Sequence, residues 1–89
     1  MLEQPITIIN KLGLHARAAA KLVSTCSPYQ CKVKLCYNGK EVDAKSIMSV
    51  MMLAASQGCE IQIKADGADE EAAIKALVTL INNRFDEDE

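Results

Sequence analysis

Tryptophan is absent, and the aromatic residues are only two tyrosines and one phenylalanine. Proteins that grip single-stranded nucleic acid stack its bases on aromatic rings, and the supply here is thin. The net charge of −2 also lacks the basic footprint of a nucleic-acid binder, so no nucleic-acid partner is expected. No apolar run reaches membrane-spanning length, and the chain does not open on a basic segment followed by an apolar one, as an export leader would. The expectation is a cytoplasmic protein with reduced thiols and no membrane insertion. There is one histidine, and none of Cys26, Cys31, Cys36 and Cys59 forms a C-x-x-C pair. The spacing of a zinc site is missing, and no metal or other cofactor is expected. The cysteines read as small, partly buried apolar residues.

The 89 residues fit one domain, residues 1–89. A chain of this length buries only about 60–70% of the surface that its unfolded form exposes, which leaves no room for a deep catalytic cavity. Chemistry is expected on the surface, where larger partners can touch it. The charge is uneven. Residues 1–50 hold seven Lys/Arg against three Asp/Glu, whereas residues 51–89 hold three against nine. The basic front half suggests an acidic partner or a phosphate group on that side.

Residues 5–9, rich in β-branched side chains, predict a short strand. A helix follows over 16–27 with Ala19, Leu22, Val23 and Cys26 as its buried stripe, and Pro28 stops it. Residues 31–37 alternate, with Cys31, Val33, Leu35 and Tyr37 facing one way. Asn38-Gly39 is the strongest short hairpin signal, and 40–43 return. Ser46 caps a short second helix to about Leu53. Gly58 supplies a left-handed turn, and 60–65 alternate again. Asp69, Glu70 and Glu71 place negative charge at the start of a third helix, with Ile74, Leu77, Val78 and Ile81 as its stripe. The tail from Asp86 to Glu89 is expected to be frayed and solvated. The order βαββαβα predicts a two-layer α+β domain: a four-stranded antiparallel sheet with three helices on one face.

The segment Gly13-Leu14-His15-Ala16-Arg17 carries the most chemical information. Gly13 permits a tight turn, and His15 falls at a helix start, where unbonded N–H groups favour an anion. Arg17 adds a cation able to fork onto phosphate oxygens. An imidazole is a competent nucleophile near neutral pH. These parts describe a phosphoryl acceptor. Spacing alone is equally consistent with a surface histidine before a helix and a solvated arginine.

The full string, followed by an alanine-rich helix, resembles the active-site region of the HPr family, the histidine-containing phosphocarriers of the bacterial phosphotransferase system. Lys45-Ser46-Ile47-Met48 is similar to the family's regulatory serine region, and the likeness continues at Asp66-Gly67-Ala68-Asp69-Glu70. It implies an open-faced sandwich with sheet order 1-4-2-3. It further implies that His15 receives phosphate on Nδ1 from enzyme I, originally from phosphoenolpyruvate. His15 then passes it to IIA domains of sugar permeases, while Arg17 steadies the transferring group. The role is that of a transport-system component with a phosphohistidine intermediate, not of an autonomous enzyme. Ser46 is a helix cap on its own evidence; by resemblance it is also a target of an HPr kinase/phosphorylase. Ala18 stands where many members have proline, and Ser24 and Ser27 stand where enteric members carry lysines.

The segment Ile47-Met48-Ser49-Val50-Met51-Met52-Leu53 is apolar nearly all round. Either all of it packs inward, or its methionines form an adaptable contact surface. The resemblance implies a docking face made by Ala16, Ala20, Lys21, Lys45, Ile47, Met48 and Met51, with Val50 and Leu53 in the core and the protein a monomer. Two other readings compete. One is a nitrogen-related paralogue with regulatory partners, suggested by the acidic ending Phe85-Asp86-Glu87-Asp88. The other is a protein-binding regulatory module that carries no phosphate, although such relatives lack the active histidine.

Overall fold

In a computed structural model, which describes residues 1–87, the elements fall in the order read from the sequence. Strand β1 is Leu2–Thr7, helix α1 Ala16–Cys26, β2 Lys32–Tyr37, β3 Lys40–Asp43, α2 Ile47–Met52, β4 Glu60–Asp66 and α3 Glu70–Asn82. A short 3-10 turn, Arg84–Asp86, closes the described chain. The sheet order is β1-β4-β2-β3, and every neighbouring pair is antiparallel.

Alternation along the strands builds the two layers. Ile6, Val33, Leu35, Ile61, Ile63 and Ala65 are buried, and Leu35 stands directly opposite Ile63. Helices α1 and α3 meet this face with Ala18, Ala19, Leu22 and Cys26 from one and Ala73, Ile74, Leu77 and Ile81 from the other. Val23 and Val78, expected in the buried stripes, sit half-buried at the edges of the core. The opposite face of the sheet is open to solvent. There Lys34 and Lys64 lie directly across from each other, a repulsive pairing on its own. Glu41 relieves it: its carboxylate oxygens lie 3.2 Å from Lys34 Nζ and 3.4 Å from Lys64 Nζ. The hydrogen bonds from Lys34 and Lys64 hold the Glu41 carboxyl below the usual range.

Several boundaries depart from the sequence reading for physical reasons. β1 begins at Leu2, before Pro5; it is an edge strand, where a missing N–H is tolerated. β2 begins at Lys32 because the N–H groups of Gln30 and Cys31 donate to the Asp69 carboxylate, at 2.8 and 2.9 Å. Asp69 holds the N-cap position of α3 but makes no side-chain cap there. It ties the start of α3 to the entry of β2 instead. The backbone donors, first that of Gln30, hold its carboxyl below the usual carboxylate range. α1 ends at Cys26, with Ser27 as C-cap.

All four cysteines are free: Cys26 and Cys31 are buried, while Cys36 and Cys59 are partly exposed. Burial pushes the Cys26 thiol up to about 11. No helix among the described residues is long and apolar enough to cross a membrane.

Asn38 and Gly39 both have positive φ, 54° and 80°, the backbone of the expected two-residue hairpin. Ala54 is a different case. It follows the C-cap Leu53 of α2 and sits at φ 58°, a left-handed position that its Cβ resists. Ala54→Gly is therefore expected to raise stability by about 0.5–1 kcal/mol, the relief of strain exceeding the added freedom of the unfolded chain. Denaturant melts check this, and an unchanged or lower midpoint contradicts it.

Candidate functional site

The site is built on the turn between β1 and α1. Gly13 has φ 65°, and a Cβ there would lie 2.7 Å from both the Ala55 carbonyl oxygen and the Ser56 Cα. Only glycine permits this approach. It allows the next residue, Leu14, to donate its N–H to the Ala55 carbonyl at 3.0 Å. The chain leaving the turn is thus pinned to the segment that follows α2. Asn10, fully buried, braces the turn from inside: its Nδ2 donates to the Gly13 carbonyl at 2.8 Å.

His15 is the N-cap residue of α1 in extended conformation, and its side chain makes no capping hydrogen bond. The first intrahelical bond runs from Ala19 N–H to the His15 carbonyl, 2.8 Å. The N–H groups of Ala16, Arg17 and Ala18 precede it and are the donors that a helix start directs at an anion. Ala16 and Arg17 are exposed. The Arg17 side chain makes no hydrogen bond or ion pair among the described residues, so its guanidinium is free to reach a ligand.

Residues 84–87 return to this point, whereas Asp86 and Glu87 were expected in a solvated tail. Phe85 is fully buried, and its carbonyl accepts from Lys21 Nζ at 2.7 Å. Arg84, Phe85 and Asp86 all have positive φ, 56°, 54° and 61°; each left-handed residue costs about 1–2 kcal/mol. Burial of the Phe85 ring offsets that strain. Glu87 is thereby set against the β1–α1 turn. Its Oε1 accepts from Asn10 Nδ2 at 2.8 Å, and its Oε2 lies 2.5 Å from His15 Nε2. Partial desolvation works against the charge on Glu87, but the hydrogen bonds from Asn10 and His15 outweigh it and hold its carboxyl below the usual range. Asp88 and Glu89, the rest of the expected tail, lie outside the described residues.

The remaining candidates lie on α1, on α2 and at the entry to α2; the two helices pack against each other. Ser46 is the N-cap of α2, and its Oγ accepts from Ser49 N–H at 3.3 Å. Ile47, Met48 and Met51 are exposed, while Val50 and Leu53 are buried. Ala20 is half-buried. Lys21 and Lys45 both hold backbone carbonyls, that of Phe85 and that of Tyr29, so their charges also anchor the structure. Met52 and Leu12, which lie outside the expected docking face, are also exposed, 70% and 68%; Met52 belongs to the methionine-rich segment read as a contact surface, whereas Leu12 is not among the sequence candidates. Asn10 and Glu87 were missed as site residues, because their separation of 77 residues leaves no local pattern to find.

Residues 2–83 match the family described as "PTS HPr component phosphorylation site". The chain belongs to the HPr family of the phosphotransferase system. It is 58% identical over 88 residues to phosphocarrier protein HPr of Xylella fastidiosa, covering 99% of each chain. To that of Cupriavidus necator it is 55% identical over 89 residues, covering both chains completely. Among solved structures, HPr-C-His of Thermoanaerobacter tengcongensis superposes with a TM-score of 0.96 at 48% identity, with full coverage of both chains. An HPr from Bacillus anthracis superposes at 0.86 with 35% identity, over 90% of this chain and 95% of that one. The βαββαβα order and the 1-4-2-3 sheet are thus those of the HPr fold, and the general role is that of a phosphocarrier working with phosphotransferase-system partners.

The close approach at Gly13 gives a direct test of how His15 is placed. Gly13→Ala is expected to lose about 1–3 kcal/mol and to shift the ring resonances of His15, because the Cβ must push the turn away from Ala55. A variant with the wild-type melting temperature and an unmoved His15 spectrum contradicts this.

Proposed function

We propose that His15 is the phosphoryl acceptor, taking phosphate from phospho-enzyme I and passing it to IIA domains of sugar permeases. The observation that carries this reading is the placement of the only histidine at an uncapped helix start. The N–H groups of Ala16, Arg17 and Ala18 lie at that helix start, and the exposed Arg17 side chain springs from the same first turn. Glu87 engages Nε2, which leaves Nδ1 as the attacking nitrogen. Arg17 balances the charge on the phosphoryl oxygens as the bond to the donor breaks. The His15 side chain is 27% exposed, so the group is reached from the surface and the partner supplies the other half of the site. The protein acts as a cytoplasmic monomer in this reading.

Ile47, Met48 and Met51 form the apolar part of the docking face, continuous with α1 through the α1–α2 packing. Ala16, Ala20, Lys21 and Lys45 complete it, and the exposed Met52 and Leu12 extend it. Ser46 stands at the edge of this face. As a kinase target it would add negative charge at a helix start, which tolerates it, so its effect would fall on docking and not on folding.

Two sets of variants test the proposal. His15→Ala is expected to abolish acid-labile labelling from phosphoenolpyruvate and enzyme I without lowering the melting temperature by more than a few degrees. Arg17→Ala is expected to slow transfer about tenfold or more. Labelling that survives the loss of His15, or wild-type rapid-quench rates without Arg17, would contradict the assignment.

For the docking face, Ser46→Asp and Met48→Asp are expected to weaken enzyme I binding, read by calorimetry, because they place charge where apolar surface is desolvated. Ser46→Ala is expected to keep normal affinity and lose about 0.5–2 kcal/mol of stability as its cap is removed. Wild-type affinity in Ser46→Asp would reduce the serine to a cap alone.

A further inference from the structure

The contact between the chain end and His15 is more elaborate than a salt bridge on a frayed tail. Four separate devices bring Glu87 to the ring. Phe85 is plugged into the core, its carbonyl is held by Lys21, three consecutive residues adopt left-handed backbone, and the buried Asn10 receives one carboxylate oxygen. Asn10 directs its amide group both to Glu87 and to the Gly13 carbonyl. The same side chain therefore sets the turn that aims His15 and the carboxylate that meets it. The Glu87 side chain is 14% exposed and that of His15 27%, so the pair is only partly screened by water.

We propose that Glu87 is a positioning residue for phosphoryl transfer: its carboxylate holds the proton on Nε2, keeps Nδ1 as the lone-pair nitrogen, and balances the charge that the ring acquires. This deepens the reading of His15 as acceptor and rests on it. In the step, the Nδ1 lone pair forms the new N–P bond, and the bond from phosphorus to the donor breaks with its electron pair leaving to the donor. No proton is lost. The ring keeps its Nε2 proton and becomes an imidazolium, and Glu87 Oε2 faces that proton throughout. The reverse events pass the group onward. A carboxylate behind an imidazole fixes tautomer and orientation and stabilises the cation in the same way in hydrolytic triads. Desolvation opposes the charge on Glu87, but the hydrogen bonds from Asn10 and His15 favour it and hold the carboxyl below its usual range.

The test uses the full chain with Glu87→Ala, Glu87→Gln and Glu87→Asp. The first readout is the nitrogen-15 spectrum of the His15 ring in unphosphorylated protein, at a pH where the ring is neutral. The second is the rate of phosphorylation by phospho-enzyme I as the concentration of this protein is varied. Wild type is expected to show the Nε2–H tautomer, whereas Glu87→Ala mixes in the Nδ1–H form. Its kcat is expected to fall about tenfold with KM changed less than twofold. Glu87→Asp should recover part of the loss. Glu87→Gln, which keeps the shape but not the charge, should not. Unchanged ring shifts, an unchanged kcat, a loss confined to KM, or full activity in Glu87→Gln would each overturn the proposal. The ring spectrum needs no phosphoryl donor, so its failure is distinct from failure of the acceptor reading, which shows as labelling that survives in His15→Ala.

Discussion

The hydrogen bond from Leu14 N–H to the Ala55 carbonyl, made possible by the missing side chain at Gly13, organises the functional end of the molecule. It joins the segment that enters α1 to the segment that leaves α2. Once that junction is made, His15 begins α1, the exposed methionines of α2 lie on a neighbouring element, and Asn10 is buried where it can brace the turn. The chain end then closes on the same junction through Phe85, Lys21 and Glu87. A helix start is a general anion-binding device. Here it becomes specific because rigid backbone contacts, and not a long flexible loop, determine where the imidazole stands.

The consequence for function is a site with almost no interior. A domain this small cannot surround a phosphoryl group, so on the proposed reading it offers an imidazole, a row of backbone donors and the Arg17 side chain, and leaves exclusion of water to whichever partner docks. That division of labour suits a carrier. An enclosed site would have to open for a donor and again for an acceptor, whereas an exposed one meets both through the same face. The exposed Met48, Met51 and Met52 fit such use, since unbranched, polarizable side chains adapt to more than one groove.

Local patterns made most of the architecture legible. Alternation in residues 31–37, the Asn38-Gly39 turn and the 3.6-residue stripes of α1 and α3 are short-range signals, and the structure follows each of them. His15, Arg17 and Ser46 were legible as candidates because helix starts have recognisable chemistry. What remained hidden depends on distance along the chain. Asp69 draws its donors from Gln30 and Cys31, which shortens β2 by one residue, and nothing within either segment announces it. Glu87 looks like part of an acidic, solvated tail because its two neighbours in space, Asn10 and His15, lie more than 70 residues away. The buried Phe85 was the available clue, since an isolated large apolar residue just before an acidic end must pack somewhere.

The proposed function requires phosphate to reside on one particular nitrogen of one residue. The most direct measurement is phosphorus–nitrogen correlation NMR on nitrogen-15-labelled protein phosphorylated by enzyme I and phosphoenolpyruvate. A single phosphoramidate signal coupled to Nδ1 of His15, with Nε2 still protonated, is the expected result. A phosphorus coupled to Nε2, or to no ring nitrogen at all, would contradict it.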